Sequence, residues 1–374
     1  MKNTMKKVFA MALAMVMLVC CFASCGGDKG GNDTYFIGAT GPLTGDAADY
    51  GIAVNNGAKI AIDEINAAGG LNGVLFRYEM KDDKATAPDA QTGYNALIDD
   101  GMQISIGSVT SGSCEAFATE AAKDNLFFIT PSASAANVIE NRPNAFRVCF
   151  GDPDQGILAA QDLAANFETI GAIYDTSDPY SAGIYEAFEA EMAKLNKTYE
   201  VRTFDKDNNK DFSAQVEALK DCDVIFLPFY YTEAGLVAKT CAAKGCDAVL
   251  YGCDGLDGIA GQIDDTVKNN IKYITPFDVN ATDEKTANFV KKYREVYGID
   301  PSQFAADGYD AIYVLFEAMK AAGINDVNIS ASDLCDKVVA AITAEGFVYA
   351  GTTGTMTWDV SGAATKVPVI VELQ

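Results

Sequence analysis

The sequence contains no histidine. That excludes Ser-His-Asp and Cys-His nucleophile systems and every His-ligated metal site. An enzyme built from this chain would have to work with carboxylates, Tyr, Lys or Cys. Basic residues are also scarce. The chain holds 28 Lys and Arg against 52 Asp and Glu, a net charge of −24. No basic patch can form the footprint that nucleic acid or anionic lipid requires. No Cys-x-x-Cys spacing marks a metal or redox site, and no Walker-type G-x-x-x-x-G-K-[ST] marks a polyphosphate site. No metal or cofactor is expected. Apart from a Gly-rich stretch near the start, no low-complexity segment or short repeat breaks the chain.

What is present begins with an export signal. Lys2, Lys6 and Lys7 precede the apolar run VFAMALAMVMLVCCFA, too short to be a comfortable membrane span. Ala23 and Ser24 then lead into Cys25. This reads as a lipobox, with residues 1–24 a signal peptide and Cys25 the lipidated first residue. Such an anchor places the protein outside the cytoplasmic membrane of a bacterium, tethered to its outer face. Residues 25–33 form a flexible leash. Downstream of Cys25 seven cysteines remain, an odd number, and they are expected as buried free thiols.

With 374 residues, 49% hydrophobic and 21% charged, the chain suits a packed protein of two domains. From residue 34 apolar strands alternate with amphipathic helices. Val54, Ala58, Ala61, Ile62 and Ile65 fall on one helical face, and Gly69-Gly70 ends it. Strands are expected over 34–40, 74–80, 103–108, 126–130, 145–150, 170–175, 199–205, 223–229, 248–253 and 271–277. Residues 151–156 read as a turn, 282–297, 303–322 and 331–344 as helices, and the two last segments as β-like. The fold class is α/β: continuous apolar strands between helices form parallel sheets covered on both faces, too many for one open sheet. Two doubly wound lobes follow.

In such sheets ligands bind beyond the carboxyl ends of the strands. Two consecutive strands here end in small hydroxyl-bearing loops: SVTSGS carries Ser111, and PSASA carries Ser132 and Ser134. Each precedes a helical segment, whose free N–H groups attract anions. Hydroxyls and amides without cations suit a carboxylate. Alternatively the serines are plain helix caps, Ser113 before 114–124 and Ser134 before a short helix.

At these loops the chain resembles the extracellular binding proteins of branched-chain amino-acid ABC transporters, the Leu/Ile/Val-binding type. The marks span residues 34–374: IGATGPLTGDAADYG, NNGAKIAIDEINAAGGLNG, IGSVTSGS, FFITPSASA, FRVCFGDPDQG, YGCDG, GYDAIYVLFEAM and GTTGTMTWD. The resemblance implies a type I periplasmic-binding-protein fold with three crossovers, near Gly151, Pro276 and Thr353. Lobe 1 would comprise 34–151 plus 276–352, and lobe 2 152–275 plus 353–374. It also implies that Ser111, Ser132 and Ser134 meet a ligand α-carboxylate and that Asp254 meets the α-ammonium. Asp254 stands where the family's G-x-E-G-like turn carries a longer acid. Tyr50, Tyr180 and Tyr230 or Tyr231 would finish the cleft, and Phe304 would wall the ligand side chain.

The expected function is therefore capture of an amino acid, Leu, Ile or Val first, for delivery to an ABC permease, by a monomer touching the membrane only through its lipid. A ligand carrying both charges would bridge the lobes and favour closure. A sensing receptor of the same fold, for another small amino acid or an amide, is the alternative. A carboxylate-based hydrolase is a third, and no nucleophile–base motif supports it.

Overall fold

The computed structural model describes residues 33–373. The expected signal peptide, Cys25 and all of the leash but Asp33 lie outside the described residues. Among those described, no helix is long and apolar enough to cross a membrane, and all seven cysteines are free thiols.

The first sheet takes strands β1 (Thr34–Gly41), β2 (Leu75–Asp82), β3 (Ile104–Ser105), β4 (Phe128–Thr130) and β5 (Ala145–Arg147) in the order β2-β1-β3-β4-β5, all parallel. The second takes β6 (Ile170–Asp175), β7 (Glu200–Phe204), β8 (Val224–Leu227), β9 (Val249–Gly252) and β10 (Ile271–Thr275) in the corresponding order β7-β6-β8-β9-β10. A hairpin of β11 (Tyr349–Gly351) and β12 (Gly354–Met356) follows near the chain end. The last strand, β13 (Val369–Glu372), adds antiparallel to β10. Burial follows position. The inner strand β8 is buried at every residue, whereas the edge strands β2, β7 and β13 are largely accessible. That is why the inner strands read as unbroken apolar runs and the edges do not.

Helices α1 (Ala48–Ala67), α2 (Ala87–Asp99) and α3 (Ser111–Asp124) serve the first lobe. Helices α4 (Asp152–Asn166), α5 (Pro179–Lys194), α6 (Ser213–Leu219) and α7 (Tyr231–Lys244) serve the second. Then α8 (Glu284–Tyr297), α9 (Gln303–Ala321) and α10 (Ala331–Ile342) return to the first. The expected face of α1 is buried, and α9 lies along it. The two backbones approach closely at Gly57, where a Cβ would stand 1.8 Å from the Ala305 carbonyl oxygen.

Residues 151–156, read as a turn, are instead the cap and first turn of α4. Pro153 lacks an N–H that would be unbonded there anyway, and the Asp154 carboxylate accepts from the Gly151 N–H at 3.1 Å. The chain passes from the first lobe to the second between Arg147 and Asp152, and back between Thr275 and Glu284. The third passage comes later than Thr353. Trp358 Nε1 donates to the Arg147 carbonyl at 2.7 Å, and Arg147 N donates to the Gly362 carbonyl at 3.0 Å. Residues 358–362 therefore stay on β5, and the chain rejoins the second sheet only at β13.

Candidate functional site

Both sheets have the strand order in which neighbouring connections run to opposite faces, opening a crevice at the carboxyl ends. The two crevices face each other. Strand β3 is two residues long and meets β4 in a single register pair, Ser105 with Phe128. Beyond it, side chains take over the pairing. Thr130 Oγ1 donates to the Ser108 carbonyl at 2.7 Å and Ser132 Oγ to the Val109 carbonyl at 2.8 Å. Ala135 N donates to Ser111 Oγ at 3.2 Å. The hydroxyl-rich loops thus hold each other where a ladder would normally do so.

Ser111 opens α3, whose N-cap is Thr110 rather than the expected Ser113. Ser134 is likewise not the cap of the short 3₁₀ turn Ala136–Val138; Ala135 is. The unbonded N–H groups at the start of α3 lie where the loops converge.

The second lobe supplies the acid. Asp254 starts a 3₁₀ turn just past β9 and is 5% exposed. Its Oδ1 accepts from Tyr180 Oη at 2.6 Å, and its N–H donates to Gln155 Oε1 at 3.0 Å. Gln303 Nε2, from the first lobe, donates to its carbonyl at 2.7 Å. Burial lifts its pKa to about 6; the Tyr180 and Gln155 bonds oppose that and nearby Asp307 adds to it. Asp257, whose Oδ2 accepts from Gln303 N at 2.8 Å, is pushed to about 6 for the same first reason, as is Asp307, although Lys366 pairs with Asp307 at 2.9 Å. A buried carboxylate at this pKa invites a cation.

Tyr50 ties the lobes together. Its hydroxyl bonds the Gly255 carbonyl and accepts from Tyr231 N at 3.1 Å. Its ring meets Phe304 at 4.3 Å and Tyr231 at 4.7 Å between centroids. Tyr231 Oη in turn accepts from Asp49 N at 3.2 Å. Gly255 N donates to Tyr180 Oη at 2.8 Å, and a Cβ on Gly255 would stand 2.7 Å from that oxygen.

Of the residues singled out in the sequence, Tyr50, Ser111, Ser132, Tyr180, Tyr230, Asp254 and Phe304 line one cleft, joined by Val109, Thr110 and Gly255. The choice left open between two tyrosines resolves by orientation. Tyr230 lines the cleft, stacked on Tyr180 at 5.0 Å, while Tyr231 faces Tyr50 and Asp49. Ser134 stays outside the cleft. Its carbonyl accepts from Asp152 N at 3.1 Å and from Arg147 Nη1, and its hydroxyl lies beside the buried Asp152 carboxylate. Sequence reasoning missed Gln155, Gln303 and Thr110; an isolated glutamine on a helix or a threonine in a loop carries no local signal. The free volume within the clasp is about 10 Å³, room for at most one water, so a larger ligand enters only when the lobes part. Among the described residues, no group of His, Cys, Asp or Glu could hold a metal ion.

Comparison with known proteins gives consistent results. The family model described as periplasmic binding protein matches residues 34–366. The chain is 30% identical to the Leu/Ile/Val-binding protein BraC3 of Rhizobium johnstonii over 337 residues, 86% of this chain and 88% of that protein. The leucine-binding protein LivK of Thermotoga maritima superposes with a TM-score of 0.81 at 25% identity, covering 90% of this chain and 95% of that one. The branched-chain amino-acid transporter substrate-binding protein LivJ of Streptococcus pneumoniae, solved with isoleucine, gives 0.77 at 27% identity, covering 91% and 100%.

Proposed function

The chain belongs to the periplasmic binding protein family, and from that premise we propose that it captures an α-amino acid between its lobes and delivers it to an ABC permease. The observation that carries this reading is the pairing of chemistries across one cleft. Ser111, Ser132 and the start of α3 face it from the first lobe, and buried Asp254 from the second. A ligand carboxylate takes the hydroxyl-and-amide side, its ammonium takes Asp254, and Tyr50, Tyr180, Tyr230 and Phe304 close around the backbone. Each charge alone touches one lobe. Only a molecule bearing both gains from closure, so closure and recognition are one event. The relatives named above lend weight to Leu, Ile or Val as ligand. The protein acts as a monomer without turnover or cofactor, held at the outer face of the cytoplasmic membrane by a lipid on Cys25.

A thermal-shift screen of the twenty amino acids tests this. A specific ligand at a hundred times its dissociation constant should stabilise the chain by about 2.7 kcal/mol. A flat response to all twenty, or steady hydrolysis of a supplied ester or amide, would overturn the reading.

A further inference from the structure

Asp254 carries the acidic half of the clasp on a short side chain, so its carboxylate stands where the backbone puts it. That backbone is held at both of its polar groups by buried glutamines. Gln155 Oε1, on α4, accepts from the Asp254 N–H at 3.0 Å, and Gln303 Nε2 donates to the Asp254 carbonyl at 2.7 Å. The second bond crosses between the lobes, because Gln303 is the first residue of α9. Its backbone crosses as well: the Gln303 N–H, one of those a helix start leaves unbonded, donates to Asp257 Oδ2 at 2.8 Å. Asp257 N donates to the Asp254 carbonyl at 3.0 Å and closes the turn. One residue of the first lobe thus grips both ends of the second lobe's acidic turn. The direction of its amide is fixed from behind. Thr275 Oγ1 accepts from Phe277 N at 3.2 Å and donates its own proton to Gln303 Oε1 at 2.9 Å, which leaves Nε2 for the Asp254 carbonyl. Gln303 is 1% exposed and stands outside the cleft lining, whereas the next residue, Phe304, lines it.

We propose that Gln303 is a positioning residue for ligand recognition: from the first lobe it sets the place of the Asp254 carboxylate, so that the acid meets a ligand ammonium while Gln303 itself touches no ligand. This rests on the zwitterion clasp of the preceding reading and deepens it. Tyr50 also reaches the turn from the first lobe, at the Gly255 carbonyl, but it lines the cleft and meets the ligand directly. Without the Gln303 amide the Asp254 carbonyl keeps the Asp257 N–H, so the turn persists. What it loses is the tie to α9. A binding constellation tolerates a drift of only about 0.5 Å, and a buried ammonium–carboxylate contact is among the least forgiving.

Leucine and 4-methylpentanoate, which is leucine without its α-amino group, separate positioning from packing. Both meet Phe304 and the serine loops, and only leucine needs Asp254. Should another amino acid win the thermal-shift screen, it and its deaminated acid take their place. Gln303→Met keeps the length of the side chain and the backbone N–H to Asp257. By titration calorimetry it should weaken leucine about tenfold and 4-methylpentanoate by no more than about twofold. Thr275→Val, which frees the amide to turn, should move leucine in the same direction by a smaller factor and leave 4-methylpentanoate in place. If both ligands weaken by the same factor, or leucine keeps its full affinity in the two variants, Gln303 is a packing residue and the proposal fails while the clasp stands. If the unaltered chain binds the acid as tightly as the amino acid, or binds no amino acid, the clasp itself fails and the positioning role with it.

Discussion

The two lobes wind five parallel strands in the same spatial order, yet they present opposite chemistry at the strand ends. The first offers hydroxyls and unbonded helix N–H groups and no carboxylate to the clasp; the second offers Asp254. The architecture is indifferent to this contrast, since loops beyond a sheet's edge can change without disturbing the core. The difference teaches where recognition resides. Each lobe alone is a weak half-site for one charge, and the facing arrangement turns two half-sites into a device that prefers a zwitterion.

The most drastic way to erase the contrast is to neutralise the acidic half. Asp254→Asn should weaken amino-acid binding by about 3 kcal/mol, more than roughly a hundredfold in Kd by calorimetry, because a ligand ammonium would be left buried without its partner. The variant should stay folded, since asparagine preserves the shape and can still accept from Tyr180. Next in size is a steric wedge. Gly255→Ala places a methyl 2.7 Å from Tyr180 Oη and 3.0 Å from the Phe229 carbonyl. Both neighbours belong to the second lobe, so the methyl should push the Tyr180 hydroxyl away from Asp254, with a loss of about tenfold in affinity by calorimetry.

Titration sharpens the same comparison. The Asp254 carboxyl sits near 6 in the closed chain, above its ordinary value. Its contribution to stability is therefore present at low pH and lost as pH rises through about 6. Ligand affinity should run the other way, because the ammonium needs the ionised acid: from pH 7 to pH 5, Kd should rise by roughly tenfold. Calorimetry at the two values checks this, and Asp254→Asn should flatten the dependence. The smallest effect is expected from the first lobe. Ser111→Ala removes a hydroxyl that accepts from Ala135 N at 3.2 Å, but leaves the helix amides in place. A loss of about 1 kcal/mol, several-fold in Kd, should follow.

Much of this was legible in the sequence for physical reasons. Continuous apolar strands announced parallel sheets, and Ser111, Tyr50 and Asp254 lie in short stretches whose order along the chain carries the family likeness. Other features depended on three-dimensional placement. Tyr230 and Tyr231 are adjacent, and only the start of α7 decides that one lines the cleft and the other meets Tyr50. Ser134 looked equivalent to Ser132, but its carbonyl, held by the Arg147 guanidinium and the Asp152 N–H, fixes it outside the cleft. Strand β3 is shorter than its apolar run because hydroxyl bridges replace the ladder beyond Ser105.

The claim that opposite charges of one molecule bridge opposite lobes can be met head on by dissecting the ligand. Leucine would be titrated against the matching acid lacking the α-amino group and the matching amine lacking the carboxyl group, with scattering to follow closure. The expected result is that only the intact amino acid closes the lobes, each half binding at least about a hundredfold more weakly. An acid or an amine that binds and closes the chain as well as the amino acid does would contradict it.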